Sequence, residues 1–273
     1  MSLEIVFLPQ SWFRARSSFP NLTKLLNKGY DKPRLKYNII QTQRIQSDDS
    51  LLENLAVNPD DEIGVFLLLG GEKKFHLLKE QGFARNFNDD SVQSAFQCDI
   101  PTEFASYFDL DKLSEAPVTI ADAKFDFNDQ FLSRVIASLG FRSYYRKSAQ
   151  TTKPFILTAY TSFMKNAASK FLDFVLNDLL QDPGYFNILS NTGDISKYDR
   201  LSIYADCIVE HGLVNYYTTK CRFEATGERV LVQVGASIGR DVSSASYKAI
   251  QASRDFHIAY IRREVELLIK QTL

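Results

Sequence analysis

Apolar residues recur at helical spacing through the middle of this chain. Between Asn128 and Gly140, residues Leu132, Val135, Ile136 and Leu139 fall at i, i+3, i+4 and i+7, one face of a helix. Gly140 stands where a helix commonly stops. Lys153–Pro154 opens a second apolar run, which continues as a long amphipathic helix through Phe171, Phe174, Val175 and Leu179 and ends at Asp182–Pro183–Gly184. The spacing predicts two packed helices joined by a basic loop from Arg142 to Lys153.

Around that pair the pattern is more broken. Ile63 to Leu69 is an apolar run closed by Gly70–Gly71, a strand or a buried helix segment. Glu72 to Gln81 is helical in pattern and Gly82 ends it. Ser91 to Phe108 reads as interrupted helix, and the alternation of VTIADAKFDF after Pro117 permits a strand. Residues 182–199, rich in Gly, Asn, Ser and Asp, mark a domain boundary. Beyond it, Tyr198 to His211 reads as an amphipathic helix ended by Gly212, and Val214 to Glu224 as a strand. Ala225–Glu228 reads as a turn, and Val230, Val232 and Val234 alternate as a half-buried strand should. Gly235 and Gly239 bracket a third strand, and a long helix begins near Ser243–Ser244 with Ala249, Ala252, Phe256, Ala259 and Tyr260 on its apolar side. The expected fold is a mainly α N-terminal domain (61–185) behind an N-terminal arm (1–60), followed by a small α+β domain of order α-β-β-β-α (196–273).

The 273 residues carry a net charge of −1, which argues against a polyanion-binding surface over the whole molecule and leaves only local basic patches. Cys98, Cys207 and Cys221 are scattered without a CxxC pair, so reduced buried thiols are expected and a zinc site is not. No metal or other cofactor is expected. No apolar run approaches the ~20 residues of a membrane span. From Ile5 to Tyr30 there is no acidic residue, while Arg14, Arg16, Lys24 and Lys28 sit among Ser, Phe and Leu. That composition fits a mitochondrial transit peptide, or an arm laid across a partner or across the chain's own core. The compartment expected is mitochondrial, with cytoplasmic or nuclear as alternatives.

The helical stretch resembles ribonuclease III domains, in which "N…LA.IA..LG" precedes a basic loop and "ILAD..EA.IGA" follows it. Asn128, Leu132, Ile136, Leu139 and Gly140 match the first part, and Ile156–Leu157 with Phe171, Val175, Leu179 and Leu180 match the second. The C-terminal order resembles a double-stranded-RNA-binding domain, with Leu201 and Tyr204 at its "L..Y" and VLVQVGASIGRDVSSASYKAIQA similar to "V.V.V.G…G.G.SKK.A…A".

The resemblance implies an inactive enzyme. The family holds Mg²⁺ with clustered carboxylates, and here the corresponding positions are Val92, Asp99, Ala159 and Ser162, which leaves a single acid. Residues expected to meet RNA are Arg142, Arg146, Lys147 and Lys153 in the basic loop, and Arg240, Lys248 and Arg254 in the C-terminal module. The reading implied is a non-catalytic structural protein of the mitochondrial large ribosomal subunit. It would bind ribosomal or other structured duplex RNA, and a ribosomal or ribonuclease III-like partner through the dimer surface. An active endoribonuclease using Asp99, Asp111 and Asp122, or a free RNA-binding regulator, is the alternative.

Overall fold

The computed structural model describes residues 2–89, 91–145, 149–191, 194–234 and 251–268. Its strands are β1 (Leu3–Leu8), β2 (Ile63–Gly70), β3 (Val118–Ile120), β4 (Val135–Ser143), β5 (Thr152–Ser162), β6 (Arg200–Ile208), β7 (Glu224–Val232) and β8 (Phe256–Glu266). Together they form one eight-stranded sheet in the order β3-β1-β2-β4-β5-β6-β8-β7. The helices are α1 (Gln10–Arg14), α2 (Pro20–Tyr37), α3 (Leu51–Asn54), α4 (Glu72–Glu80), α5 (Asp129–Arg134), α6 (Ala167–Asn177), α7 (Pro183–Ser190) and α8 (Leu213–Lys220). Residues 92–115 supply short 3₁₀ turns.

Both faces of the sheet are covered, so its central strands read as unbroken apolar runs. Every residue of β2 is buried. Alternate side chains go to opposite cores: Val65, Leu67 and Leu69 pack with Leu22, Leu25 and Leu26 of α2, whereas Phe66 and Leu68 join Phe171, Leu172 and Val175 of α6.

The mainly α expectation is therefore overturned. The Asn128–Gly140 periodicity is helical only as far as Arg134. Asn128 caps α5, accepting from the N–H groups of Gln130 and Phe131, and Val135–Ser143 then runs as a strand buried at all but Arg142. The run after Lys153–Pro154 is β5 before it becomes α6. The supposed first helix of an RNA-binding module, Tyr198–His211, is mostly β6, and the supposed strand Val214–Glu224 is mostly α8. Ala225–Glu228 lies inside β7, where Gly227 has φ +82° and the register with β8 shifts. Residues 235–250, with the third strand and the start of the long helix, lie outside the described residues. Phe256, Ala259 and Tyr260 belong to β8 rather than to that helix. Strands from both sides of residues 182–199 share the sheet.

Candidate functional site

The sheet opens at one place. β5 and β6 are parallel, but they pair only from Thr152–Arg200 to Ile156–Tyr204. Beyond that rung β5 continues to Ser162 and β6 to Ile208, each paired, among the described strands, only with its outer neighbour, β4 or β8. A bulge directs the separation. The β4–β5 register shifts between Ser138 and Gly140, and Ala159 takes φ +48°. Two strand edges bearing backbone donors and acceptors thus face one another across a gap.

That gap holds a cavity of about 360 Å³, within the range of roughly 300–1,000 Å³ of small-molecule sites. Its walls come from α2 (Gly29, Tyr30, Asp31), the 40–44 segment, Arg142, β5 from Ile156 to Ser162, Ala205 and Asp206 of β6, and Tyr216 and Tyr217 of α8. On one side the hydroxyls of Tyr160 and Tyr216 meet at 3.2 Å, with the Cys221 thiol 3.4 Å from Tyr160. Burial holds both phenols, and the Cys221 thiol, above their ordinary pKa values, so they stay protonated donors at neutral pH. On the other side burial raises the Tyr30 phenol above its ordinary pKa, against the opposing pull of Arg44 and of the backbone at Tyr160 and Ala159 of the bulge.

Charge is concentrated at the apex. Asp206 has its carboxyl raised by desolvation, against the opposing pull of Arg142 and Arg44. Asp31 and Arg34 pair at 2.9 Å, misaligned for a hydrogen bond. His211, only 5% exposed, stacks on the Tyr37 ring at 4.9 Å, with no partner for Nε2 among the described residues. Desolvation lowers its pKa to about 4.

At the open end, a four-residue link separates β5 from α6. Asn166, exposed and in the left-handed region (φ +63°), stands at its N-cap without a side-chain cap bond, and Ala168 of the first turn lines the cavity. First-turn N–H groups have no intrahelical acceptor and carry the positive end of the helix dipole.

The residues singled out from sequence scatter across this architecture. Asp99 and Ser162 do come together, bridged by Lys32, whose Nζ binds the Asp99 carboxylate and lies 2.6 Å from the Ser162 carbonyl. Val92 lies in a 3₁₀ turn, and Ala159 is the bulge residue. Asp111 pairs with Lys170 at 2.5 Å, and Asp122 accepts from the Lys124 N–H in an exposed turn. Among the described residues no group of three or more His, Cys, Asp or Glu is placed to hold a metal ion. Lys153 is bound to Glu62 at 2.6 Å, and Arg254 sits in an exposed turn. Arg142 lines the cavity. Arg146, Lys147, Arg240 and Lys248 lie outside the described residues. The three cysteines are free and buried, and no described helix is long and apolar enough to cross a membrane. The stretch Ile5–Tyr30 supplies β1, α1 and much of α2 to the core.

Sequence reasoning missed Tyr30, Tyr160, Tyr216 and Asp206. Each sits singly in its own segment, and only the divergence of β5 from β6 assembles them.

Comparison with known proteins agrees with neither a ribonuclease III domain nor an RNA-binding module. The model of the family "Sporulation protein RMD6" matches residues 1–265. The Saccharomyces cerevisiae (strain ATCC 204508 / S288c) protein named sporulation protein RMD6 is 23% identical over 222 residues, which cover 80% of this chain and 79% of that protein. Among solved structures, the crystal structure of the microcin C7 self immunity acetyltransferase MccE in complex with acetyl-CoA and AMP is similar at 16% identity. It covers 75% of this chain and 97% of its own, with a TM-score of 0.25, too low to bear on fold or activity. This family match overturns the ribosomal and RNA-binding readings and the degenerate-nuclease reading on which they rested, and much of the sequence expected as their helices forms strands of one sheet. The chain belongs to the sporulation protein RMD6 family.

Proposed function

We propose that this RMD6-family chain acts in sporulation, as its relative's name states, by binding an extended, amide-bearing acyl carrier in the gap between β5 and β6 and transferring the acyl group to an amine. The observation that carries the reading is the end of β5–β6 pairing at Ile156–Tyr204 while both strands continue. A linear ligand with secondary amides satisfies such open edges as an added strand would. A phosphate on the ligand is matched by the start of α6 at the mouth. The chemistry that fits both ends is a phosphopantetheine-type thioester. The expectation of a non-catalytic chain drew on missing ribonuclease III carboxylates and lapses with that comparison.

The transfer uses groups already in the walls. The amine gives up a proton to the half-buried Asp206 carboxylate in the wall and attacks the thioester carbon. The C–N bond forms as the C–S bond breaks, and the departing thiolate takes a proton from the Tyr160–Tyr216 hydroxyl pair. The products are an amide and a free thiol.

The test is release of free thiol from acetyl-CoA by the purified chain with an amine present. Thiol release above the uncatalysed rate supports the reading. Absence of both release and acetyl-CoA binding overturns it. Loss of spore formation in cells lacking the chain tests the biological half.

A further inference from the structure

Resting on the acyl-transfer reading, one corner of the cavity also specifies the acceptor. Three buried side-chain atoms without a hydrogen bond among the described residues belong to its wall: Asp31 Oδ1, Arg34 Nη1 and His211 Nε2. His211 closes over the last turn of α2 by stacking on Tyr37. Arg34 and Asp31 stand about one and two turns earlier on the same helix. Asp31 is 2% exposed and His211 5%. Pro33, inside α2, leaves the Gly29 carbonyl without its usual helical donor, and both residues line the cavity. Buried polar groups are rarely left unpaired in a native protein, so a corner that gathers several is shaped for a polar partner.

The corner favours neither sign of charge. Arg34 Nη1 and Asp31 Oδ1 stand 2.9 Å apart but misaligned, so each neutralises the other and keeps its hydrogen-bonding capacity. Lys28 also acts on Asp31, but its ammonium is held by the Asp89 carbonyl and the Ser94 hydroxyl, outside the cavity wall. His211 is neutral at pH 7, since burial lowers its pKa to about 4. A ligand carboxylate at this corner meets Asp31, an ammonium meets Arg34, and a methyl group leaves all three atoms unpaired. We propose that the acceptor is an amine bearing an uncharged hydrogen-bonding group, a hydroxyl or a carboxamide, seated among Asp31, Arg34 and His211 while its nitrogen stands at Asp206. Such a group donates to Asp31 and accepts from Arg34 at once. The transfer is unchanged: the nitrogen takes the acyl group and the thiol leaves.

The experiment is steady-state thiol release from acetyl-CoA with matched amines at equal free-amine concentration, preceded by calorimetric titration of acetyl-CoA alone. Ethanolamine and aminopropanol are set against propylamine and butylamine, which carry a methyl in place of the hydroxyl. Glycinamide and β-alaninamide are set against glycine and β-alanine. The alcohols and amides should show kcat/KM about tenfold above their counterparts, as gain of a hydrogen bond to a charged group gives. His211→Phe keeps a ring against Tyr37 but removes Nε2, so it should erase much of the ethanolamine preference, and His211→Gln should restore part of it. Asp31→Asn leaves Arg34 unopposed, so glycine should gain on glycinamide. Ratios measured on one preparation do not depend on how much of a variant is folded. Acetyl-CoA binding with equal use of propylamine and ethanolamine (water alone filling the corner), with glycine preferred by the parent, with ratios unchanged in both His211→Phe and Asp31→Asn, or with no turnover by any amine, would overturn the acceptor assignment alone. No acetyl-CoA binding would overturn the cleft reading and the acceptor with it.

Discussion

Tyr160 on β5 and Tyr216 on α8 meet hydroxyl to hydroxyl at 3.2 Å, on the side of the gap opposite Tyr30. Desolvation raises the pKa of both, so the pair can supply a proton but does not lose one at neutral pH. Tyr216→Phe should therefore lower kcat for thiol release by about 100-fold, the lower range for loss of a general acid. KM for acetyl-CoA should change little. An unchanged kcat would remove the tyrosine pair from the chemistry.

Tyr30 presents the converse case. Its phenol lies close enough to the backbone of Ala159 and Tyr160 at the bulge for that backbone to act on its pKa, so a ligand carbonyl must compete with it there. Tyr30→Phe should bind acetyl-CoA several-fold more tightly, while the ligand-free protein loses about 1 kcal/mol for the missing polar group. Calorimetry and urea unfolding on the same preparation measure both effects.

The same half of the sheet is tied down by Arg263 of β8. Only 5% exposed, it donates to Asp173 of α6 at 2.6 Å and to the Cys221 carbonyl at 2.8 Å. Asp173→Asn keeps the shape but leaves a buried guanidinium without its anion. A loss of about 3 kcal/mol is expected, the low end for breaking a buried pair because Asp173 is partly exposed. The urea midpoint should fall with an unchanged m-value.

His211 makes stability depend on pH in a definite direction. Its folded pKa, about 4, lies below the ordinary value of 6.5. Between these the unfolded chain binds the proton and the folded chain does not, so unfolding free energy rises with pH through this window. The contribution is complete above about pH 6.5 and is lost as pH falls toward 4, about 3 kcal/mol in all at 1.36 kcal/mol per unit. His211→Gln should flatten the stability profile between pH 4 and 6.5. A profile identical to the parent would show that His211 is not the group responsible.

Local signals in the sequence were sound where one residue dictates the backbone. Asn128 caps a helix. Gly82, with φ +85°, follows α4 as expected of a stop. Ile63–Leu69 is the strand its compact apolar run allowed. Period failed where burial is two-sided. In β4 nearly every position is buried and apolar residues point to both faces, so Val135, Ile136 and Leu139, with Leu132 of α5, satisfy a helical template without forming one helix. Gly140 looks like a helix stop but is a strand residue, its missing Cβ making room for Val65 and the Gly64 carbonyl. A resemblance built on those helices inherited the error. The cleft had no signature at all, because it is an end of pairing between β5 and β6, whose partnered residues, such as Ile156 and Tyr204, lie 48 apart in sequence.

The binding claim is tested most directly at Asn166, exposed at the start of α6. An aspartate there complements the helix dipole and tolerates the left-handed conformation, so stability should hold or rise. Its charge would oppose a phosphate at the same place. Calorimetric titration of the parent chain and of Asn166→Asp with acetyl-CoA and with pantetheine measures the two ligands side by side. The account predicts one site per chain in the parent, several-fold weaker acetyl-CoA binding in the variant, and equal pantetheine binding in both. Failure of the parent chain to bind acetyl-CoA would contradict it.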